Sequence, residues 1–146
     1  MKNKGEIAAI SISEKKGVLK KNVRRALLEK EHGIVGDAHS GSERQVSLLA
    51  LESIEKMKEK GLDVKPGDFA ENITTQRIDL LKLSPGMRLK IGKDVVLEIT
   101  QIGKDCHERC SIYYQAGDCI MPREGIFARV LQSGTIKPGD DIVIQC

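Results

Sequence analysis

The sequence predicts a mainly β protein with a few helices, in which many short strands form a closed barrel. Two observations support this fold class. Short runs of branched apolar residues recur along the chain, and turns that contain glycine or proline separate them. A sandwich would also accommodate such strands, but a barrel is favoured because closure leaves no exposed strand edge. The length of 146 residues fits one domain covering residues 1–146.

The first half of the chain contains a predicted strand, an ambiguous segment and a predicted helix. Residues Ile7 to Ser13 alternate large apolar with small or polar side chains, as in a half-buried strand. Asn22 to Lys30 is too short for periodicity to separate helix from strand. Apolar residues recur every three positions from Leu48 to Lys60, where Ser47 would cap a helix and Gly61 would end it.

The second half is dominated by predicted strands. Arg88 to Ile91 and Val95 to Thr100 flank Gly92-Lys93-Asp94, a sequence that favours a tight hairpin. Gly125 to Leu131 and Ile142 to Gln145 supply further β-rich segments. Pro-Gly pairs suit the central positions of type II turns, and they occur at Pro66-Gly67, Pro85-Gly86 and Pro138-Gly139.

Composition narrows the classes of function. The net charge of +3 permits an anionic small ligand but does not favour DNA. With two Tyr, two Phe and no Trp, the chain has few platforms on which single-stranded nucleic acid could stack. No apolar run approaches the roughly 20 residues of a membrane helix, and no signal peptide is recognisable. We therefore expect a cytoplasmic protein without nucleic-acid or membrane partners, whose thiols stay reduced.

The densest group of reactive side chains lies between Lys104 and Cys110, where Cys106, His107 and Cys110 fall within five consecutive positions. A thiolate is the reactive and metal-binding form of cysteine, and the cationic Lys104 and Arg109 would stabilise it. The segment therefore predicts a reactive or soft-metal site. Two small buried thiols beside a solvated charge run fit the spacing equally well. A zinc site is disfavoured because three residues separate the cysteines and no second pair follows.

A glycine-rich segment carries two candidate binding residues. Residues Gly33 to Gln45 include His39 and Arg44, an imidazole and a guanidinium on a backbone that can approach a ligand closely. Such a composition suits a ligand-binding loop. An ordinary surface connection explains it better, however, because Gly, Ser, Asp and His are common in any loop.

Asn72 and Arg129 are further polar candidates. Asn72 follows a Pro-Gly turn, where turn capping is the simpler explanation of a polar side chain. Alternation along a strand places Arg129 on the same face as Phe127. An arginine in that position either reaches solvent at a rim or meets an anion in a pocket.

Five segments resemble, in order, the motifs of the MOSC family, the C-terminal module of molybdenum cofactor sulfurases. They are GIVGDAHSG at 33–41, RQVSLL at 44–49, PGDFAENI at 66–73, KDCHERC at 104–110 and GIFARVL at 125–131. The resemblance spans nearly the whole chain. It implies a compact β-barrel of the MOSC type, with a pocket whose family cysteine, matching Cys110, carries sulfur or ligates molybdenum.

The resemblance also implies a set of site residues. Cys110 would be the soft ligand or persulfide carrier. Cys106 and His107 would either support that ligand from behind or act as a resolving thiol and a proton donor. The anionic pterin of the molybdenum cofactor would be surrounded by His39, Arg44, Asn72 and Arg129. The pyridoxal-phosphate domain of the longer sulfurases has no counterpart here, so we expect no pyridoxal phosphate on this chain.

The leading hypothesis is a module that binds molybdopterin and carries sulfur in the sulfuration or delivery of the cofactor. Its expected partner is a cysteine desulfurase or a cofactor assembly protein. One alternative is a molybdenum-dependent reductase of N-hydroxylated compounds, and another is a non-catalytic partner protein in cofactor assembly. Catalysis by the chain itself, as a sulfur transferase or a molybdoenzyme component, is left open.

Overall fold

A computed structural model describes residues 4–15, 20–38, 40–42, 45–103 and 125–145. Strands dominate these ranges. They are β1 (Lys4–Ile12), β2 (Lys21–Val23), β3 (Ala26–Glu29), β4 (Gly33–Ile34), β5 (Val46–Ala50), β6 (Ile73–Gln76), β7 (Arg88–Ile91), β8 (Val95–Ile102), β9 (Ile126–Gln132), β10 (Gly134–Ile136) and β11 (Asp141–Gln145). One α-helix, α1 (Leu51–Glu59), and one 3-10 turn (Leu80–Lys82) complete the described elements.

Seven of the described strands close into a barrel, which confirms the predicted fold class. They follow the order β1, β6, β5, β9, β8, β7 and β11, and β11 returns to β1 with Glu6 opposite Asp141. Neighbouring barrel strands are antiparallel, except that β5 and β6 are parallel because α1 carries the chain back between them. β2 extends the sheet beyond β1, and β10, β3 and β4 form a separate small sheet.

Alternation along each strand divides the apolar residues between two clusters. On β9, Ile126, Ala128 and Val130 point into the barrel core, whereas Phe127 points outward and packs beneath α1. The smaller outer cluster comprises Leu49, Ile54, Met57, Val64, Phe69 and Phe127. The predicted alternation that pairs Phe127 with Arg129 on one face is therefore present.

The helix begins three residues later than the sequence predicts. Leu48 and Leu49 belong to β5, and both are fully buried because Leu48 faces the barrel core and Leu49 faces α1. An apolar run buried on both faces of a sheet mimics the start of a helix in sequence. Ser47 does not cap the helix, since its hydroxyl bonds to Ala70 and Asn72 instead.

The end of α1 lies where the sequence predicts it. Gly61 has a φ of +92°, and its N–H donates to the Lys58 carbonyl at 2.9 Å. The Leu62 N–H donates to the Met57 carbonyl at 3.4 Å, and both side chains pack in the outer cluster. These two bonds and the apolar contact form a Schellman motif. Within the described ranges, no helix has the length and apolar character needed to cross a membrane.

The remaining segments match or complete the sequence predictions. The ambiguous stretch Asn22 to Lys30 forms strands, β2 and β3, rather than a helix. The hairpin between β7 and β8 is confirmed, with Ile91 opposite Val95. All three Pro-Gly pairs form turns in which the glycine has φ between +93° and +99° and residue four donates to the carbonyl of residue one at 3.1 Å. This geometry confirms the predicted type II turns.

Candidate functional site

Two of the predicted site residues, Asn72 and Arg129, lie within the described ranges. The other predicted site residues lie outside the described residues: Cys106, His107 and Cys110 in the cysteine-rich segment, and His39 and Arg44 in the glycine-rich segment. The described residues therefore show which parts of the barrel lie next to the ends of the cysteine-rich segment and around position 39 of the glycine-rich segment.

The cysteine-rich segment starts and ends at one point of the barrel. β8 and β9 pair as far as Ile102 opposite Ile126, and the Gly103 N–H donates to the Gly125 carbonyl at 2.6 Å. Residues 104–124 thus lie between two glycines that are hydrogen-bonded to each other. β8 reaches two residues beyond the predicted end at Thr100, so the paired strands extend to the residues next to these two glycines.

A buried ion pair fixes the glycine-rich segment to the end of β1. The Lys20 ammonium lies 2.7 Å from the Asp37 carboxylate, and the two side chains are 1% and 0% exposed. The same Asp37 oxygen accepts the Ser13 N–H at 3.1 Å, and the Ser13 hydroxyl lies 3.4 Å from the Lys20 ammonium. Two opposite charges are therefore buried against each other and against the backbone of Ser13, the residue that follows β1.

Backbone bonds extend this attachment along the segment. The Ala38 N–H donates to the Ser13 carbonyl at 2.7 Å, and the Gly41 N–H donates to the His32 carbonyl at 2.6 Å. Ser40 bonds through both its N–H and its hydroxyl to the Asp37 carbonyl, at 3.2 and 2.7 Å. The residues on either side of position 39 are thus held by hydrogen bonds to residues 13 and 37.

Asn72 is a fully buried residue that joins three strands. Its side-chain NH2 donates to the Ser11 carbonyl at 3.1 Å, and its side-chain oxygen accepts the Ser47 N–H at 3.0 Å. Its backbone N–H donates to the Ser47 carbonyl, and its backbone carbonyl accepts the Ser11 N–H. These contacts favour a structural role for Asn72, while contact with a cofactor stays a prediction.

Glu71, next to Asn72, carries a fully buried carboxyl. Burial raises the pKa of the Glu71 carboxyl, because the charged form loses its hydration. Hydrogen bonds from the Gly67, Glu71 and Phe69 N–H groups and from the Thr74 hydroxyl act in the opposite direction. The Phe69 and Thr74 donors lie 3.2 and 3.0 Å from its oxygens. Glu71 therefore closes the loop that follows the first Pro-Gly turn.

Arg129 lies on the outer face of β9, between two carboxylates. Its Nε lies 2.7 Å from Glu98 on the neighbouring strand β8, and its Nη1 lies 3.6 Å from Glu31. The arginine side chain is 43% exposed. Both contacts are with anions of the protein itself, and binding of a pterin anion by Arg129 stays a prediction.

The two predicted segments approach the same stretch of β5. Gln45, which ends the glycine-rich segment, accepts the Val130 N–H through its side-chain oxygen at 3.1 Å. Three residues further along β5, Leu48 lies opposite Ile126, which follows the Gly103–Gly125 bond. At about 3.3 Å per residue, the two attachment points are about 10 Å apart along the strand.

A cleft of about 230 Å³ lies beside the start of α1, and the sequence did not predict it. Its lining residues are Ala50, Glu52, Ser53, Lys56 and Arg77 to Leu81. The lining contains the acids Glu52 and Asp79 and the bases Lys56 and Arg77. The Glu52 carboxylate accepts the backbone N–H of Arg77 at 3.0 Å. Neither described candidate, Asn72 or Arg129, lines the cleft. Within the described ranges, no three His, Cys, Asp or Glu side chains are grouped so that they could hold a metal ion.

No local pattern in the sequence predicts the ion pair between Lys20 and Asp37. Lys20 stands in a basic stretch that resembles a solvated surface, and Asp37 stands among glycine and serine residues that are typical of loops. The two residues are 17 positions apart, and the intervening strands bring them together. Local pattern alone cannot predict such a contact.

Comparison with known proteins adds the family. The model of the MOSC domain family matches residues 35–143. The chain belongs to the MOSC family. The matched range begins within the glycine-rich segment and ends in β11, so it includes every predicted site residue. The resemblance recognised in the sequence is confirmed, and family membership supports a function related to the molybdenum cofactor.

Solved structures show the same MOSC fold. The YuaD protein from Bacillus subtilis superposes with a TM-score of 0.81 at 18% identity, over 97% of this chain and 95% of that chain. YiiM from Geobacillus stearothermophilus superposes with a TM-score of 0.72 at 18% identity, over 97% and 75% of the two chains. YiiM from Escherichia coli gives a TM-score of 0.64 at 17% identity, over 97% and 70%. No curated protein matches the sequence significantly.

The described residues of this MOSC domain do not by themselves fit the molybdenum cofactor. A soft metal calls for thiolate ligands and an anionic pterin calls for available donors. The Asn72 side chain is bonded within the barrel, and the Arg129 guanidinium lies between two carboxylates. A site for the cofactor would therefore need the predicted residues His39, Arg44 and Cys110, which lie outside the described part of the chain.

Proposed function

We propose that this MOSC domain binds the molybdenum cofactor and carries sulfur through Cys110. The observation that carries the proposal is that the cysteine-rich segment is inserted between the ends of two paired strands. The Gly103 N–H, just before the segment, donates to the Gly125 carbonyl, just after it, at 2.6 Å. Family membership supplies the class of cofactor. Cys110 would provide the soft ligand or the sulfur carrier, and His39 and Arg44 would contact the anionic pterin.

The chemistry of sulfur carriage requires a thiolate and an external donor. The Cys110 thiolate attacks the terminal sulfur of a persulfide on a partner protein, so that the S–S bond of the donor breaks as a new S–S bond forms on Cys110. The donor leaves as a thiolate, and the two cysteines exchange one sulfur atom without any other oxidant or reductant. Lys104 and Arg109, which are close to Cys110 in the sequence, would favour the anionic form of the attacking thiol.

Loading of single-cysteine variants tests the proposal. Protein produced in cells that make the cofactor is analysed for molybdenum and, by intact mass, for one added sulfur atom. Cys110→Ser should abolish loading, whereas Cys106→Ser should only weaken it, because a direct ligand is lost outright and a supporting thiol is not. Cys146→Ser, at the chain terminus, is the matched control and should load as the wild type does.

Each outcome assigns the cysteines differently. Full loading of Cys110→Ser would refute the proposal, and equal loss in the Cys106 and Cys110 variants would make the pair a joint site. Wild-type protein with neither molybdenum nor added sulfur would favour a non-catalytic partner protein in cofactor assembly. Bound molybdenum together with turnover of an N-hydroxylated compound would favour the reductase.

A further inference from the structure

The Lys20–Asp37 pair is the most deeply buried charge pair of the described structure, and it lies where two family motifs meet. The ammonium contacts Asp37 of the glycine-rich segment at 2.7 Å. On its backbone side, the Lys20 carbonyl lies against Gly67 of the PGDFAENI motif, where an added Cβ would be 3.2 Å away. One lysine thus touches both motifs.

Stability alone does not account for the burial of this pair, since moving two charges out of water costs about as much free energy as their attraction returns. Apolar residues of similar volume would stabilise the same position at least as well. Apolar residues cannot form directional hydrogen bonds, whereas the Asp37 oxygen that contacts Lys20 also accepts the Ser13 N–H at 3.1 Å. The pair therefore selects one placement of the segment against β1.

We infer that Lys20 and Asp37 are positioning residues that hold the described part of the glycine-rich segment, residues 33–38 and 40–42, in one placement at the end of β1, and that cofactor binding depends on this placement. The inference rests on the proposed function for its ligand. It follows from the bonds on both sides of position 39, with the Ala38 N–H on the Ser13 carbonyl and Ser40 on the Asp37 carbonyl. Neither Lys20 nor Asp37 needs to touch the ligand.

The end of β1 also holds the PGDFAENI motif. The Ser13 N–H, one residue beyond β1, donates to Asp37, and Ser11, two residues earlier, bonds to Asn72 of the PGDFAENI motif through both its N–H and its carbonyl. Loss of the ion pair should therefore release the glycine-rich segment first, while Asn72 continues to hold the PGDFAENI motif in place.

Three variants separate positioning from stability. Lys20→Met removes the ammonium that faces the Asp37 carboxylate, Asp37→Asn keeps the oxygen that accepts the Ser13 N–H, and the double variant Lys20→Met/Asp37→Leu removes both charges at similar volume. The control Lys4→Met/Asp141→Asn removes an ion pair whose side chains are 65% and 63% exposed. Chemical unfolding of each variant establishes that it folds.

Amide hydrogen exchange is the first readout, because it needs no ligand. The Ala38 amide, bonded to Ser13, should exchange at least about tenfold faster in the double variant, while the Ile99 amide, bonded to Met87 in the barrel, should keep its wild-type rate. In Asp37→Asn, the exchange rate of the Ala38 amide should lie between those of the wild type and the double variant. An unchanged Ala38 rate in the double variant would overturn the inference.

Binding of molybdopterin cofactor released from a molybdoenzyme is the second readout. The double variant should bind about 10- to 100-fold more weakly, as expected when groups that orient ligating residues are lost, and the exposed-pair control should bind as the wild type does. Wild-type affinity in a double variant with fast Ala38 exchange would overturn the inference as well. Absence of binding by the wild type would instead refute the proposed function, and the exchange rates would still decide whether the ion pair holds the segment.

Discussion

The loop that carries the PGDFAENI motif should be more sensitive to a single added methyl group than the other two Pro-Gly turns. Gly67, Gly86 and Gly139 have nearly the same backbone conformation, with φ of +99°, +95° and +93°. Their surroundings differ. A Cβ on Gly67 would lie 2.9 Å from the Ser11 hydroxyl, whereas nothing lies within 4 Å of a Cβ on Gly86 or Gly139.

These differences give the expected magnitudes. Alanine at any of the three positions meets the cost of a left-handed conformation, roughly 1–2 kcal/mol. Gly67→Ala must in addition push the loop away from β1, and overpacking of this kind costs about 1–3 kcal/mol. The free energy of unfolding should therefore fall by about 1–2 kcal/mol in Gly86→Ala and Gly139→Ala and by about 2–5 kcal/mol in Gly67→Ala.

Urea unfolding followed by far-ultraviolet circular dichroism measures the three values, since the chain has no Trp for fluorescence. At about 2–4 °C per kcal/mol, the same order should appear in the midpoints of thermal unfolding. Equal losses at Gly67 and Gly86 would show that the contact with Ser11 relaxes without cost. The claim that this loop is packed against β1 would then be wrong.

Two further predictions concern charged side chains. Because burial raises the pKa of the folded-state Glu71 carboxyl, folding favours its protonated form, and that stabilisation is lost as the pH rises through the raised pKa. Glu71→Gln should therefore gain stability relative to the wild type as urea unfolding is repeated from about pH 4 to about pH 8; a difference independent of pH would contradict this. Arg129→Lys should lower the free energy of unfolding by at most about 1 kcal/mol, because its ion pairs are partly exposed. If Arg129 also contacts the cofactor, this variant should bind the cofactor more weakly. Unchanged affinity would show that Arg129 pairs with Glu31 and Glu98 and does not contact the cofactor.

Features that depend on neighbours in the sequence were predicted well. The three type II turns follow from proline and glycine at the two central positions, and the end of α1 follows from Gly61. The start of α1 was wrong because Leu48 and Leu49 are each buried, but by different partners on opposite faces of β5. The order of strands in the sheet decides which neighbours bury a residue, and this order cannot be predicted from the sequence of one strand.

The candidate site divides in the same way. Family resemblance identified the motifs, but it could not separate residues that hold the framework from residues that meet a ligand. Asn72 belongs to a motif, and its side chain is nevertheless bonded to Ser11 and Ser47. Lys20 belongs to none of the five motifs, and it is buried against Asp37, which does. Both contacts join residues that are far apart in the sequence, so only the folded chain reveals them.

The position of these framework residues affects how variants of this MOSC domain should be interpreted. Asp37, Gly67 and Asn72 all come from motifs, and all three lie against the chain from Ser11 to Ser13, where β1 ends. A substitution at any of them can weaken cofactor binding by moving a segment, without removing a contact to the ligand. Loss of binding therefore identifies a ligand residue only where exchange at Ala38 stays slow. Cys110→Ser meets that condition if its loading is lost while the framework amides keep their wild-type rates.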